Sequence, residues 1–169
     1  MKTLQELQDI YTVRCHPLAI RVSSLMKYNV DFDVFLPSKG KNLQRPLVWT
    51  IEQKRQIVMS VLLKRHIPNV SIFYTSDDVH KIIDGKQRLT SIFSFVNNEF
   101  TIILDGEEFY FNQLPNEYKT EIIYYPVRIN IINQEYGVPI DDNFLIHWFD
   151  MLNFAGTPQD FKHIEDLKR

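Results

Sequence analysis

The chain has 169 residues and a net charge of −2; 44% of its residues are hydrophobic and 24% are charged. This length fits one domain, and the composition is that of a globular protein with a packed core, which excludes a disordered chain. The slightly negative charge argues against DNA binding by the whole surface but leaves room for a local basic groove.

The cysteine, histidine and hydropathy patterns argue against several further kinds of site and protein. Cys15 is the only cysteine, so an internal disulfide and a cysteine-based zinc site are excluded, and we expect it to be a packing residue. The histidines show no His-x-x-x-His spacing, which argues against a preformed zinc centre. No stretch is apolar enough to span a membrane and no signal core is present, so we expect a cytoplasmic protein without a membrane partner.

The first part of the chain mixes helix and strand patterns. A capping box predicts a short helix over residues 3–13, and a second helix is predicted over 17–28. Clean alternation of apolar and polar residues predicts one strand over 30–36, and a loop follows over 37–42.

The middle of the chain has clearer boundaries. A second capping box, Thr50 with Gln53, begins a helix that we expect to end near Lys64. Strands are predicted over 69–74 and 79–83.

A helix and a hairpin are predicted next. Apolar residues recur at helical spacing from Gln87 onward, and two strands, 101–104 and 107–111, flank Asp105-Gly106. An Asp-Gly pair between two such strands is typical of a tight hairpin turn.

The C-terminal part predicts a short helix over 115–122 and a strand over 123–132, where Pro126 favours an edge position or a bulge. Asp141 caps a further helix, which a loop over 153–157 separates from a last helix. The predicted core face of the Asp141 helix holds Phe144, Leu145, Trp148, Phe149 and Leu152. Together these elements predict an α+β fold, a small mixed sheet with surrounding helices, in a single domain, 1–169.

The most informative stretch is Ile-Ile-Asp-Gly-Lys-Gln-Arg-Leu-Thr at 82–90. It predicts a strand, a tight turn and a helix N-terminus, whose unpaired N–H groups and positive dipole end favour anions, phosphate above all. Gly85 allows close backbone approach, and Lys86 and Arg88 add positive charge. An ordinary strand–turn–helix corner with solvated charges has the same local pattern.

Three neighbouring polar residues have open roles. Asp84 can hold Mg²⁺ or orient a water molecule, or it can accept N–H bonds from the following turn. Gln87 can orient water or contact phosphate, or it can be solvated. Pro46 favours an extended backbone at Arg45, which directs that side chain outward from a loop, either toward a ligand or simply into solvent.

The joint order of these motifs resembles a known family. Gln-Arg-Pro-Leu-Val-Trp at 44–49, a helix, Ile-Pro at 67–68, a strand and the Asp-Gly box are together similar to the N-terminal domain of GmrSD-type modification-dependent restriction enzymes, over roughly residues 30–168. Their box reads Asp-Gly-Gln-Gln-Arg, so Lys86 stands where glutamine is usual.

A second point of resemblance lies at 149–158. Similar domains tend to have Phe-x-Arg-(Leu/Ile)-Asn-x-Gly-Gly-x-Pro here, and Asn153, Gly156, Thr157 and Pro158 match. Met151 stands where the arginine is common, and Ala155 where the first glycine is common. The missing arginine puts hydrolysis in more doubt than binding, unless Met151 simply fills a gap in the core.

The resemblance implies a ParB/sulfiredoxin-like fold with a helical N-terminal extension over 1–29, a core over 30–132 and a helical C-terminal segment over 133–169. It implies nucleotide binding, with NTP as the ligand, with or without Mg²⁺, and with at most slow hydrolysis. The implied catalytic residues are Asp84 and Gln87. The implied nucleotide-binding residues are Gln44, Arg45, Gly85, Lys86, Arg88 and Asn153. No preformed metal site is expected, apart from Asp84 as a ligand for Mg²⁺.

Other functions remain open from the sequence. The cysteine of sulfiredoxin chemistry is missing, and no His-Asn-His nuclease module follows residue 169, so we expect no autonomous DNA cleavage. The chain is alternatively a phage or mobile-element interaction protein that modulates a larger defence or DNA-processing complex. Direct DNA binding is a third option, through Lys39, Lys41, Arg45, Lys54 and Arg55.

Overall fold

The computed structural model describes residues 3, 15–75, 78–133 and 141–154. The predicted helix over 3–13 lies outside these residues apart from residue 3. The last predicted helix lies wholly outside them, and so does the end of the second point of resemblance.

A five-stranded mixed sheet forms the centre of the described structure. Its strands, in spatial order, are β1 (Cys15–Arg21), β9 (Pro126–Asn133), β5 (Val70–Tyr74), β6 (His80–Asp84) and β2 (Val30–Asp31). β5 runs parallel to β9 and antiparallel to β6, whereas β1 and β9 are antiparallel and β2 and β6 are parallel. The sheet is therefore mixed, as predicted, while the ParB/sulfiredoxin-like subdivision of the chain stays a prediction.

Helices surround this sheet. They are α1 (Val22–Leu25), α2 (Ile51–Leu62), α3 (Lys86–Val96), α4 (Asn116–Ile123) and α5 (Asp142–Phe154). This arrangement of helices around a small mixed sheet confirms the predicted α+β class.

Two small hairpins and a short 3₁₀ turn complete the described elements. β3 (Phe35–Leu36) pairs with β4 (Lys41–Asn42), and β7 (Ile102–Leu104) pairs with β8 (Glu107–Phe109). The 3₁₀ turn spans Phe111–Gln113.

The core has two groups of buried apolar side chains. In the first, α2 and α3 pack on the sheet through residues such as Val58, Val61, Ile72, Leu89 and Ile92. In the second, α5 packs over the other side of β5 and β6 through residues such as Phe73, Ile83, Leu145, Ile146 and Phe149. The predicted core face of α5 is confirmed, with Phe144, Trp148 and Leu152 partly buried against this second group.

Two capping signals and the hairpin turn that lie within the described residues are confirmed. Thr50 and Gln53 form both bonds of the capping box, N to Oε1 at 2.9 Å and N to Oγ1 at 3.3 Å. Asp141 caps α5 by accepting the N–H of Phe144 at 2.8 Å. In the β7–β8 turn, Asp105 and Gly106 both have positive φ, 51° and 87°, as a type I′ turn requires.

The predicted helix over 17–28 is wrong for its first part. Residues 15–21 form β1, which pairs with β9 from Cys15 opposite Ile132 to Arg21 opposite Pro126, and only α1 is helical. The hydrogen bonds of β1 come from a strand more than a hundred residues later in the chain, which local periodicity cannot reveal.

The predicted single strand over 30–36 is also wrong. Its two ends, β2 and β3, belong to different sheets, because the chain bends where Asp31 Oδ1 accepts the N–H of Asp33 at 2.9 Å. A short acidic side chain that bonds the backbone two residues on is a turn former, and this overrides the alternating pattern.

The edge position predicted from Pro126 is wrong as well, because β9 is paired on both sides. Pro126 is its first residue, and the pairing with β5 begins only at Ile129. The missing N–H of proline is therefore not needed on that side. No helix within the described ranges is long and apolar enough to cross a membrane.

His80 lies at the sheet edge between two tyrosine rings. Its ring is stacked on Tyr28 with centroids 4.5 Å apart and lies 4.9 Å from the ring of Tyr74, and its Nδ1 is buried without a partner. Burial lowers the pKa of His80 from 6.5, although the charge of Asp78 and a backbone hydrogen bond with Asn29 act in the opposite direction.

We expect this histidine to make stability depend on pH. Because its pKa is lower in the folded state, the unfolded chain binds more protons below pH 6.5, and the free energy of unfolding falls as the pH drops through the folded-state pKa. Denaturant unfolding of His80→Gln should show a weaker pH dependence in this window than the wild type. His66→Gln, at an exposed histidine, is the matched control, and equal slopes for His80→Gln and wild type would contradict the assignment.

Candidate functional site

A small cleft lies between the 44–49 loop and the corner at which β6 turns into α3. Its volume is about 100 Å³, and it is lined by Gln44, Arg45, Trp49, Asp84, Gly85, Lys86, Gln87, Arg88 and Phe149. The structure thus brings together the predicted site residues of the Gln-Arg-Pro loop and the Asp-Gly box. Of the predicted set, Asn153 alone does not line the cleft.

Gly85 makes the sharp corner between β6 and α3. Its φ of 101° lies in the left-handed region, and an added Cβ would lie 2.8 Å from Cγ2 of Val70 on β5. Glycine is therefore required both for the turn and for close packing of the corner on the sheet. From the sequence, Gly85 was predicted to let the backbone come close to a ligand. In the structure it lets the backbone come close to Val70.

The first turn of α3 offers unpaired backbone donors. No side chain caps this turn, and the first backbone hydrogen bond of the helix runs from the N–H of Leu89 to the carbonyl of Gly85 at 2.9 Å. The N–H groups of Lys86, Gln87 and Arg88 have no acceptor among the described residues. Three donors and the positive end of the helix dipole are thus available in the cleft.

Lys86 lines the cleft, but its charge is already paired. Only 5% of its side chain is exposed, and the ammonium group forms an ion pair with Asp33, whose side chain is 67% exposed. Lys86 therefore ties the start of α3 to the bend between β2 and β3.

Arg88 is held by its own helix start and by the sheet. Its Nη2 donates to Asp84 Oδ2 at 2.6 Å and to the carbonyl of Asn69 at 3.0 Å, while its Nε is buried without a partner. The carboxylate of Asp84 thus accepts a bond from Arg88, and no backbone N–H of the turn within the described ranges donates to it.

Gln87 fixes the neighbouring loop. Its Oε1 accepts the N–H groups of Val48 at 3.1 Å and Trp49 at 3.3 Å, and its Nε2 donates to the carbonyl of Pro46 at 2.9 Å. The side-chain amide is occupied by the backbone of the loop that carries Arg45. Its predicted role in catalysis stays a prediction, and its observed role is to position that loop.

The Gln-Arg-Pro element contributes one anchor and one available cation. Gln44 Nε2 donates to the carbonyl of Ile82 in β6, which binds the loop to the sheet. The half-buried guanidinium of Arg45 has no hydrogen-bond or ion-pair partner within the described ranges. Since Lys86 and Arg88 are paired, Arg45 is the cation of the cleft that is available to a ligand.

The α5 side of the cleft differs from the sequence interpretation. Asn153 was expected in a loop, but α5 continues to Phe154, and Asn153 is buried with its Nδ2 donating to the carbonyl of Phe149 at 2.7 Å. Phe149 itself lines the cleft. Its apolar periodicity predicted a core position, and nothing in the sequence placed it beside the Asp-Gly box.

Met151 does not fill a gap in the core. Its side chain is 42% exposed, and it is not among the residues that line the cleft. The core-filling interpretation of this position is therefore wrong.

Of the basic residues considered for DNA binding, Arg55 is already bonded to neighbouring groups. Arg55 donates from Nε to the carbonyl of Thr101 at 2.9 Å and from Nη2 to Glu108 at 2.8 Å. A hydrogen bond from Thr101, with the Arg55 bonds, lowers the pKa of the Glu108 carboxyl. Arg55 thus joins α2 to the β7–β8 hairpin. Within the described ranges no group of three or more His, Cys, Asp or Glu residues is arranged to hold a metal ion.

The fold and the cleft define a small α+β domain in which a Gln-Arg-Pro loop lies against an Asp-Gly strand–helix corner. Residues 27–162 match the family described as GmrSD restriction endonuclease, N-terminal domain, and the chain belongs to this family. The resemblance noted from the motifs is thereby confirmed. Comparison with curated proteins and with solved structures found no match.

Substitution of Gly85 tests the corner. In Gly106→Ala an added Cβ meets nothing within 4 Å, so we expect only the strain of positive φ, about 1 kcal/mol. In Gly85→Ala the contact with Val70 is added, and we expect a total loss of roughly 2–4 kcal/mol in the free energy of unfolding. Denaturant unfolding of both variants measures the difference, and equal losses would show that the Val70 contact is unimportant.

Removal of Asp33 and removal of Lys86 from their ion pair should affect the free energy of unfolding differently. Asp33→Asn leaves a buried ammonium group without its carboxylate and should lower the free energy of unfolding by about 1–2 kcal/mol. Lys86→Met leaves Asp33 in solvent and replaces the buried charge with an apolar group of similar size, so it should be neutral or stabilising. Chemical denaturation of the two variants checks the order, and a larger loss for Lys86→Met would contradict this account.

Proposed function

We propose that the cleft binds the phosphate groups of a nucleoside triphosphate. The observation that carries the proposal is the guanidinium of Arg45, which has no partner among the described residues, beside the uncapped N-terminus of α3. Phosphate oxygens are strong acceptors, and they are favoured both by unpaired N–H groups at a helix start and by a bidentate arginine fork.

The size of the cleft supports phosphate recognition more than enclosure of a whole nucleotide. Its volume is about 100 Å³, below the roughly 300–1,000 Å³ of pockets that enclose a complete ligand. The nucleoside part would accordingly lie outside the cleft, where Trp49 at the rim offers a half-buried aromatic surface. Selectivity among bases would then be weak.

The roles of the basic residues follow from their contacts. Lys86 and Arg88 supply positive charge while they remain bonded to Asp33 and to Asp84. The Nε of Arg88 has no hydrogen-bond partner within the described ranges, but it is buried. Direct binding would fall to Arg45 and to the backbone of 86–88.

Binding is better supported than turnover. The oxygen of Gln87, which would have to accept a hydrogen bond from an attacking water to orient it, already accepts two backbone N–H groups. Asp84 would hold Mg²⁺ together with the phosphates, because one carboxylate and substrate oxygens are a common set for that ion, which would neutralise phosphate charge there. Hydrolysis, if present, should be slow, and DNA cleavage by this chain alone is not part of the proposal.

A second candidate function is interaction with a larger protein assembly. It is favoured by three apolar side chains beside the cleft, Leu47, Val48 and Ile51, which are all exposed. Apolar side chains exposed together are more typical of a contact surface than of a solvated loop. This is the surface at which a defence or DNA-processing complex would be contacted.

Arg45→Ala tests nucleotide binding. Loss of a charge-assisted bond worth roughly 1.5–3 kcal/mol should weaken affinity by about ten- to a hundredfold without loss of stability, since Arg45 makes no hydrogen bond or ion pair with the residues that the structure describes. Calorimetry with ATP, GTP, CTP and UTP, with and without Mg²⁺, measures it. Thermal denaturation gives a second readout, because a ligand at a hundred times its dissociation constant adds about 2.7 kcal/mol of stability.

Lys54→Ala is the matched control, since it removes one positive charge from the first turn of α2 but not from the cleft lining. Equal affinities for Arg45→Ala and wild type, or no binding of any nucleotide, would refute the proposal. Arg88→Ala is a poorer test, because that side chain also bonds Asp84 and the carbonyl of Asn69, so we expect it to lower stability as well as affinity.

A further inference from the structure

A second and larger cavity lies where α2 and α4 end and β9 begins. Its volume is about 550 Å³, which is in the range of pockets that enclose a complete small ligand. We call it the basic groove, and its lining residues include Lys64, Arg65, His66, Tyr124, Tyr125 and Arg128.

Two guanidinium groups in the basic groove have no partner among the residues that the structure describes. Lys64 forms an ion pair with Glu121 at 2.9 Å, so its positive charge is neutralised. Arg65 and Arg128 are exposed and form no ion pair or side-chain hydrogen bond within the described ranges. The groove therefore keeps an excess of positive charge although the whole chain carries −2.

The groove also presents an aromatic surface. The side chain of Tyr124 is 51% exposed, and the guanidinium of Arg21 lies 5.2 Å from its ring centroid. Tyr125 donates its hydroxyl to the carbonyl of Arg65 at 2.8 Å, so the backbone that carries Arg65 is fixed in place. Exposed rings beside free guanidinium groups suit a flat ring system attached to an anion.

The basic residues in and beside the groove are not explained as charges that stabilise the negative ends of helix dipoles. Basic residues often follow a helix C-terminus, as Lys64 and Arg65 follow α2. Three of the last four carbonyls of α2 are already bonded, because the N–H groups of Leu63, Lys64 and Arg65 donate to Met59, Val61 and Ser60. Arg128 and Arg21 belong to strands, so no helix dipole accounts for them.

We propose that the basic groove binds a nucleotide unit of a single-stranded nucleic acid, with its phosphate between Arg65 and Arg128 and its base on Tyr124. This does not rest on the proposed triphosphate site, since the two sites share no lining residue. Free nucleotides have the same phosphate and base chemistry, and the experiment must separate the two sources.

The test is fluorescence anisotropy with a labelled oligothymidylate of about ten nucleotides, a length within the site sizes of single-strand binders. Arg65→Ala and Arg128→Ala should each weaken binding and reduce the slope of log affinity against log salt by about 0.7, as expected for one lost phosphate contact. Tyr124→Leu should weaken binding by roughly tenfold with an unchanged slope, because stacking releases no counterions.

Lys27→Ala, at an exposed lysine outside the groove, is the control for a general charge effect. Thymidine monophosphate as a competitor distinguishes a nucleic-acid strand from a free nucleotide as the ligand. Weak competition supports binding of a strand. Competition with the same affinity as the oligonucleotide would mean that the groove binds a free nucleotide, and it would overturn the proposal of a strand. Absence of binding, or equal weakening by Lys27→Ala and the arginine variants, overturns the site. The exposed positions of Arg65 and Arg128 predict unchanged melting temperatures, which makes a folding defect distinguishable.

Discussion

The arrangement of the cleft depends on the left-handed backbone of Gly85, packed on Val70. This one residue ends β6 and begins α3 without an intervening loop. The next three residues therefore occupy the first helical positions, where successive side chains diverge by about 100°. Lys86 turns to Asp33, Gln87 to the 46–49 loop, and Arg88 back to β6. Three long polar side chains thus join three segments, while their backbone N–H groups find no acceptor in the part of the chain that the structure describes.

Much of the fold was predictable because its signals are local. Caps, an Asp-Gly turn and helical periodicity act within a few residues, and they fixed α2, α3, α5 and the β7–β8 hairpin. Two of the failures involve distant strand partners, and a third comes from a local turn. β1 is a strand because β9 supplies its hydrogen bonds. Pro126 fits at the start of β9 because the pairing of β9 with β5 begins only at Ile129. The bend at Asp31 divides a run of alternating residues between two sheets.

The composition of the site was more predictable than its chemistry. The Asp-Gly box and the Gln-Arg-Pro loop do meet in one cleft, but the sequence could not show which cations are already paired. Asp33 neutralises Lys86 from a segment with no motif of its own, and Arg55, which looked available, is bonded to the hairpin. Phe149 and the basic groove were missed for the same reason, because their residues come together only through tertiary packing.

Both sites lie at one end of the sheet. β6 is antiparallel to β5, and β5 is parallel to β9, so the end of β6 lies beside the beginnings of β5 and β9. The 65–69 segment borders both sites: its first residues line the basic groove, and the carbonyl of Asn69 accepts a bond from Arg88. A shift of this segment would change a hydrogen bond of Arg88 and the position of Arg65 together. A ligand that moved this segment from one site would alter a contact of the other, and such an effect on affinity would be reciprocal.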